Sequence, residues 1–279
     1  MLAHDLSFLK GDSVRLEQIA AQARHRPGSQ SWISNKEAFV AAYYGRLQEA
    51  RSLSRRAIAE ALEGQQRERA GLWQAGAAVR EALFGNEGEA ARVAEAALQL
   101  SADRDVNYGA ALALAIAGNS MRAETIADEL GRMFPEDTSL QFNSLPVLRA
   151  ILALNRGEHA RGLELLDSAL PFEVGIPRSA ISGQFGSLYP CYVRGALYLK
   201  LGQGEQATRE FQKILDHRGI VLTDPIGVLA RLQLGRSLAS AGNQAGARAA
   251  YHDFLSLWKD ADPNIPILRQ AREELTKLK

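Results

Sequence analysis

The sequence predicts an all-α, right-handed α-solenoid of about seven helical hairpins with a C-terminal capping helix. Three observations carry that expectation. Alanine, the strongest helix former, supplies about one in six of the 279 residues. No region alternates polar and apolar residues over a strand length with hairpin turns between. Glycine followed by a polar or turn-forming residue recurs at helical-hairpin intervals: Gly11-Asp12, Gly45-Arg46, Gly85-Asn86, Gly118-Asn119, Gly157-Glu158, Gly202-Gln203 and Gly242-Asn243, separated by 34, 40, 33, 39, 45 and 40 residues.

Each hairpin is justified by what flanks its glycine. A glycine just past a helix end takes the left-handed conformation at little cost, which a tight turn between helices needs. Seven residues before the last six turns stand Ala38, Ala78, Ala111, Ala150, Gly195 and Gly235. Five residues after them stand Ala50, Ala90, Ala123, Gly162, Ala207 and Ala247. Antiparallel helices about 8–10 Å apart need a small residue on each partner where they cross. Nine residues after the turns come Ser54, Ala94, Ala127, Leu166, Phe211 and Tyr251, and twelve after come Ala57, Ala97, Leu130, Ala169, Ile214 and Phe254. These share a helix face and read as core against the next hairpin, not as a cofactor stripe.

The first hairpin has Leu16, Ala20 and Ala23 after Gly11, and Arg26-Pro27-Gly28 closes it. Only ten residues precede its turn, fewer than the roughly 12–15 of a repeat helix, so the chain is expected to begin inside a repeat of a longer protein. The longest irregular stretch is the loop 171–190, with Gly175, Pro177, Gly183 and Gly186 inside it. Pro263-Asn264-Ile265-Pro266 then introduces a polar last helix with Arg269, Arg272, Lys277 and Lys279, expected over 264–279 as a solenoid cap. The domain reading is one solenoid over 1–279.

Small residues around a glycine turn, a larger one nine on and a proline closing the unit resemble tetratricopeptide repeats. Phe134-Pro135-Glu136-Asp137 and Asp260-Ala261-Asp262-Pro263 sit where that family often ends a unit. The leading tryptophan of the family is missing from most units; Trp32, Trp73 and Trp258 fall elsewhere. A narrower resemblance lies in Gly186-Ser187-Leu188-Tyr189-Pro190, in 210–219 (EFQKILDHRG), and in Tyr251 to Leu257 with Trp258-Lys259-Asp260-Ala261-Asp262-Pro263. This wording is similar to the C-terminal repeat regions of eukaryotic-like serine/threonine protein kinases, and related transmembrane regulators, of soil bacteria such as Acidobacteria. That resemblance implies a membrane-spanning kinase parent, with this region as its extracytoplasmic sensor or scaffold; a cytoplasmic placement and a transcription-regulator parent are the alternatives.

Charge nearly cancels, with 33 Lys+Arg against 32 Asp+Glu, which argues against a broad nucleic-acid footprint. Arg24-His25-Arg26, Arg55-Arg56, Arg67 and Arg69 form only short basic clusters. No 18-residue apolar run occurs, and Met1 to Asp5 has neither the basic nor the apolar region of a signal peptide. The single Cys191 reads as a small buried hydrophobe. Five scattered histidines with no i,i+4 pair predict no metal site. Gly202-x-Gly204-x-x-Ala207 follows a helix, not a strand, so no dinucleotide cofactor is expected. His217-Arg218-Gly219 lacks the aspartate of a kinase catalytic loop, and no other phosphate-handling motif is present.

The functional expectation is therefore a non-catalytic protein-interaction or sensing module with no cofactor. Its concave face, lined by first helices, would take a peptide or protein partner, with Tyr108, Val147, Ile151, Tyr189, Tyr192 and Arg236 as contacts. Self-association stays open. The enzymatic alternative, chemistry near loop 171–190, has no nucleophile–base pair behind it.

Overall fold

The computed structural model describes residues 2–26, 28–175, 185–186 and 188–278. Met1, Pro27, Pro177, Gly183, Ser187 and Lys279 lie outside the described residues. The first half consists of α1 (Leu2–Lys10), α2 (Ser13–Arg24), α3 (Gln30–Tyr43), α4 (Leu47–Glu63), α5 (Arg67–Leu83), α6 (Glu87–Leu100), α7 (Arg104–Ile116) and α8 (Ser120–Met133). After a π-turn at Leu140–Ser144 follow α9 (Leu145–Asn155), α10 (His159–Leu165), α11 (Tyr189–Lys200), α12 (Gly204–Asp216), the single turn α13 (Arg218–Val221), α14 (Pro225–Ser240), α15 (Gln244–Leu257) and α16 (Pro266–Lys277). No strand occurs among the described residues. Seven hairpins, α1–α2 through α14–α15, stack as the expected α-solenoid, and α16 follows them.

All seven predicted hairpin glycines have positive φ, between 70° and 86°. The turn after α3 shows why. Gly45 N–H donates to Ala42 O at 2.9 Å and Arg46 N–H to Ala41 O at 2.9 Å, a Schellman arrangement that occupies carbonyls left open at the helix end. The turn between α4 and α5 repeats this pattern with Gln65 in the left-handed position (φ 57°), one residue after Gly64. The small residues on both sides of the turns are buried. At Gly195 the ring of Phe211 fills the space a side chain would occupy, at Gly235 the ring of Tyr251 does so, and at Gly162 Leu197 does so.

The fifth hairpin departs from the pattern. Its second helix, α10, is seven residues long and gives way to a 3-10 turn at Asp167–Ala169, although Leu166 and Ala169 stay buried on the expected stripe. Within loop 171–190, Pro171, Phe172, Val174 and Gly175 are exposed, while Glu173, Phe185 and Gly186 turn inward. Glu173 is 2% exposed and accepts from Arg194 at 2.5 Å and from Lys213, while Arg194 also donates to Glu210 at 2.8 Å. Burial pushes the Glu173 carboxyl up, but the two cations outweigh it and hold the group below its ordinary range. Phe185 is fully buried against Tyr108, with ring centroids 5.8 Å apart.

The solenoid closes on itself. Helix α14 packs across α3 and α5. Trp258, fully buried after α15, donates its indole N–H to Tyr43 O at 3.0 Å and meets the ring of Phe84 at 5.1 Å. Asp262 N–H donates to Gly45 O at 3.0 Å, and Gln48 N–H donates to Asp262 Oδ2 at 2.7 Å. Ile267 N–H, in the first turn of α16, donates to Phe84 O at 3.3 Å. The last hairpin and α16 thus rest on the turns of the second and third hairpins. Helix α16 buries Ile267, Leu268 and Ala271 in this joint and exposes Arg269, Arg272 and Lys277.

Candidate functional site

Closure decides what the first helices can offer a partner. Tyr108, on α7, is 2% exposed; Val147 and Ile151, one turn apart on α9, are 0% and 4%; Tyr189, opening α11, is 1%. Tyr192 and Arg236 are half-buried. The interior that an open solenoid would present as a groove is filled by its own side chains, and Phe185 from the loop completes the filling around Tyr108 and Gly109.

A cavity of about 190 Å³ lies between α9, α11 and α14. Its wall includes Ile151, Tyr189, Tyr192, Ala196 and Gln233, and Ile267 of α16 stands across from them. The structure thus gathers three of the six sequence-chosen residues around one space. The i,i+3 spacing of Tyr189 and Tyr192 puts both on the same stripe of α11, as the sequence suggested. Tyr108 and Val147 do not reach the cavity and have no surface to offer in this conformation. Arg236 lies apart: it forms a two-pronged pair with Glu274 of α16, both contacts at 2.9 Å, and Tyr251 donates its hydroxyl to the same carboxylate at 2.8 Å. It fastens the cap.

The polar groups near the cavity are already oriented. Gln233 Nε2 donates to the Tyr192 hydroxyl at 3.2 Å, which leaves the Gln233 carbonyl oxygen as an acceptor. Tyr189 donates its hydroxyl to Asp224 Oδ1 at 3.2 Å, and the same carboxylate accepts from Ile226 N–H at 3.0 Å as the N-cap of α14. Asp224 is 5% exposed, and burial pushes its carboxyl up to about 8 despite these two donors. Sequence reading passed over Asp224, although Asp followed by Pro at the first helical position is a recognisable helix start. Cys191 is fully buried beside Arg194, and burial pushes its thiol far up, so it is no thiolate at neutral pH. Among the described residues no group of three or more His, Cys, Asp or Glu could hold a metal ion. No helix among them is long and apolar enough to cross a membrane.

The cavity is mostly apolar. Its lining is mostly aliphatic, with a tyrosine hydroxyl and a side-chain amide at one side.

No protein-family model and no curated protein sequence matches the chain. Solved structures do. A tetratricopeptide repeat protein from Parabacteroides merdae is 17% identical, with 98% of this chain and 94% of that one covered at a TM-score of 0.54. Yeast Tom70 is 14% identical over 98% of this chain and 58% of its own, at a TM-score of 0.48. The TPR domain of P58(IPK) is 11% identical over 99% and 86%, at 0.37. The first of these likenesses shows that the fold is of the tetratricopeptide-repeat type.

Proposed function

We propose that this tetratricopeptide-type solenoid is a non-catalytic protein-binding module that takes one apolar side chain of a partner into the cavity beside Tyr192. The cavity itself is what supports this: an apolar space in an otherwise filled interior, bordered by Tyr189 and Tyr192 and by the spare acceptor of Gln233. Aromatic anchors usually dominate such contacts. The partner is a peptide or protein. Chemistry has no support, because the buried titratable groups Asp224, Glu173 and Cys191 are engaged or held in their unreactive states.

The test is selection of peptides from a random displayed library on the intact chain, followed by affinity measurement on two variants. Ala196→Phe fills the cavity from a half-exposed position, and Tyr192→Ala removes its aromatic wall. Each is expected to weaken selected peptides by about fivefold or more, the equivalent of roughly 1 kcal/mol. Undiminished affinity in both folded variants overturns the reading.

We further infer a signalling parent of the serine/threonine-kinase type, in which this region would bias contact between parent molecules on the extracytoplasmic side. Support comes from the wording of 186–190, 210–219 and 251–263. The open reading frame upstream tests it: a kinase domain followed by a membrane helix is expected, and a DNA-binding head in that place refutes it.

A further inference from the structure

Trp32, in the first turn of α3, stands between two open clefts far from the cavity beside Tyr192. One, of about 470 Å³, lies among α1, α2 and α3, with buried Ile33 at its base and exposed Arg15 and Arg26 at its rim. The other, of about 580 Å³, runs along the turns that join successive hairpins, with Leu72 and Trp73 beneath and Arg67 and Arg69 above.

Three features distinguish this face. Trp32 and Trp73 meet edge to face with centroids 4.8 Å apart, and the Arg69 guanidinium lies 4.9 Å over the Trp32 ring. The two tryptophans belong to a small apolar cluster of their own, separate from the main core. Trp73 is 1% exposed, yet its indole N–H meets no acceptor among the described residues. A buried donor without an acceptor is costly unless something else supplies one.

The charges are equally unspent. Arg24, Arg46, Arg51 and Arg56 are all paired with carboxylates. Arg15 and Arg67 instead reach only the neutral groups Gln18 and Gln99 O, and Arg69 reaches Gln66. Burial lowers the pKa of Arg69 with no carboxylate to offset it.

We propose that the face around Trp32 is a second docking site, whose occupant is an extended acidic segment of a partner protein carrying one large apolar side chain. The apolar side chain rests on Trp32 and Leu72. The carboxylates of the segment meet Arg15 and Arg67 on either side of Trp32, which supplies the charge complementarity these arginines lack within the chain. A single-stranded nucleic acid fits less well, because it needs a continuous basic track and the chain carries only short basic clusters. This site rests on the reading of the chain as a protein-binding module but not on the cavity beside Tyr192.

The experiment is fluorescence anisotropy on the intact chain with a labelled peptide of aspartate, glutamate and serine around one central leucine. A matched peptide with lysine for every acid, and an oligouridylate, serve as competing probes. The acidic peptide is expected to bind at least about tenfold tighter than the lysine peptide and to weaken with salt. An Arg15→Glu/Arg67→Glu double variant, changed at two exposed positions and melting like the parent, is expected to lose at least about tenfold. Tyr192→Ala is expected to leave this affinity unchanged. No binding of the acidic peptide, equal binding of the lysine peptide, undiminished affinity in the double variant, or tighter oligouridylate binding each overturns the proposal. Loss in Tyr192→Ala alone overturns this site while leaving the cavity reading standing.

Discussion

Replacing Gly195 by alanine adds one carbon to the middle of α11, and the structure says where it goes. The new Cβ would stand 2.6, 2.8 and 2.9 Å from three atoms of the Phe211 ring. That ring is fully buried and also meets Tyr192 of the same helix as Gly195, with centroids 5.8 Å apart, so it has little room to retreat. Overpacking of this kind costs about 1–3 kcal/mol, and three contacts against a fully buried ring place it near the upper figure. Alanine returns about 1 kcal/mol through its better helix propensity. The net expectation is a loss of about 2 kcal/mol, which for a chain of this size is a melting temperature lower by about 4–8 °C. Gly88→Ala is the matched control: it lies exposed in α6, where an added Cβ meets nothing within 4 Å, and it should be neutral or stabilising. Thermal and urea unfolding followed by circular dichroism at 222 nm reads both. A Gly195→Ala chain that melts at or above the parent refutes the close crossing of α11 and α12.

Two further expectations concern the closed joint and the buried acid. Gly45→Ala and Gly118→Ala both force alanine into a positive φ, 74° and 81°, but only at Gly45 does the new carbon collide with the Ala261 methyl and meet the Trp258 ring at 2.9 Å. Gly118→Ala should therefore cost about 1 kcal/mol, while Gly45→Ala costs more and enlarges the radius of gyration in X-ray scattering; equal behaviour refutes the joint. Asp224 binds its proton more tightly folded, at about 8, than unfolded, near 3.8. Its contribution is thus full below pH 4 and fades as pH rises through 8. In urea titrations the stability of the parent relative to Asp224→Asn should decline across that window, and a constant difference refutes the assignment.

The hairpins were legible because each is a local bargain between a turn and two crossing helices. Gly45, Gly85 and their counterparts announce the turn, and Ala111 with Ala123 or Gly195 with Ala207 announce the crossing within about twenty residues. The site was less legible for the opposite reason. Tyr108 and Val147 have the spacing and character of groove residues, but whether a groove stays open depends on Trp258 reaching Tyr43, 215 positions away in sequence. Nothing in a repeat period encodes that meeting. Gly45 hides it as well, since the same glycine that the turn requires also makes room for Ala261. Trp32 and Trp73 stood out only as misplaced family tryptophans; their pairing across hairpins has no signature in either unit alone.

The meeting of Trp258 with Tyr43 also bears on how many units such a molecule can contain. An open array tolerates the gain or loss of a unit, because each unit touches only its neighbours. Here an extra hairpin inserted anywhere between the second and the seventh would rotate and carry Trp258 past its seat on Tyr43, and Asp262 past Gly45. A missing one would leave both short. The copy number is set by geometry, as the number of staves is set in a barrel.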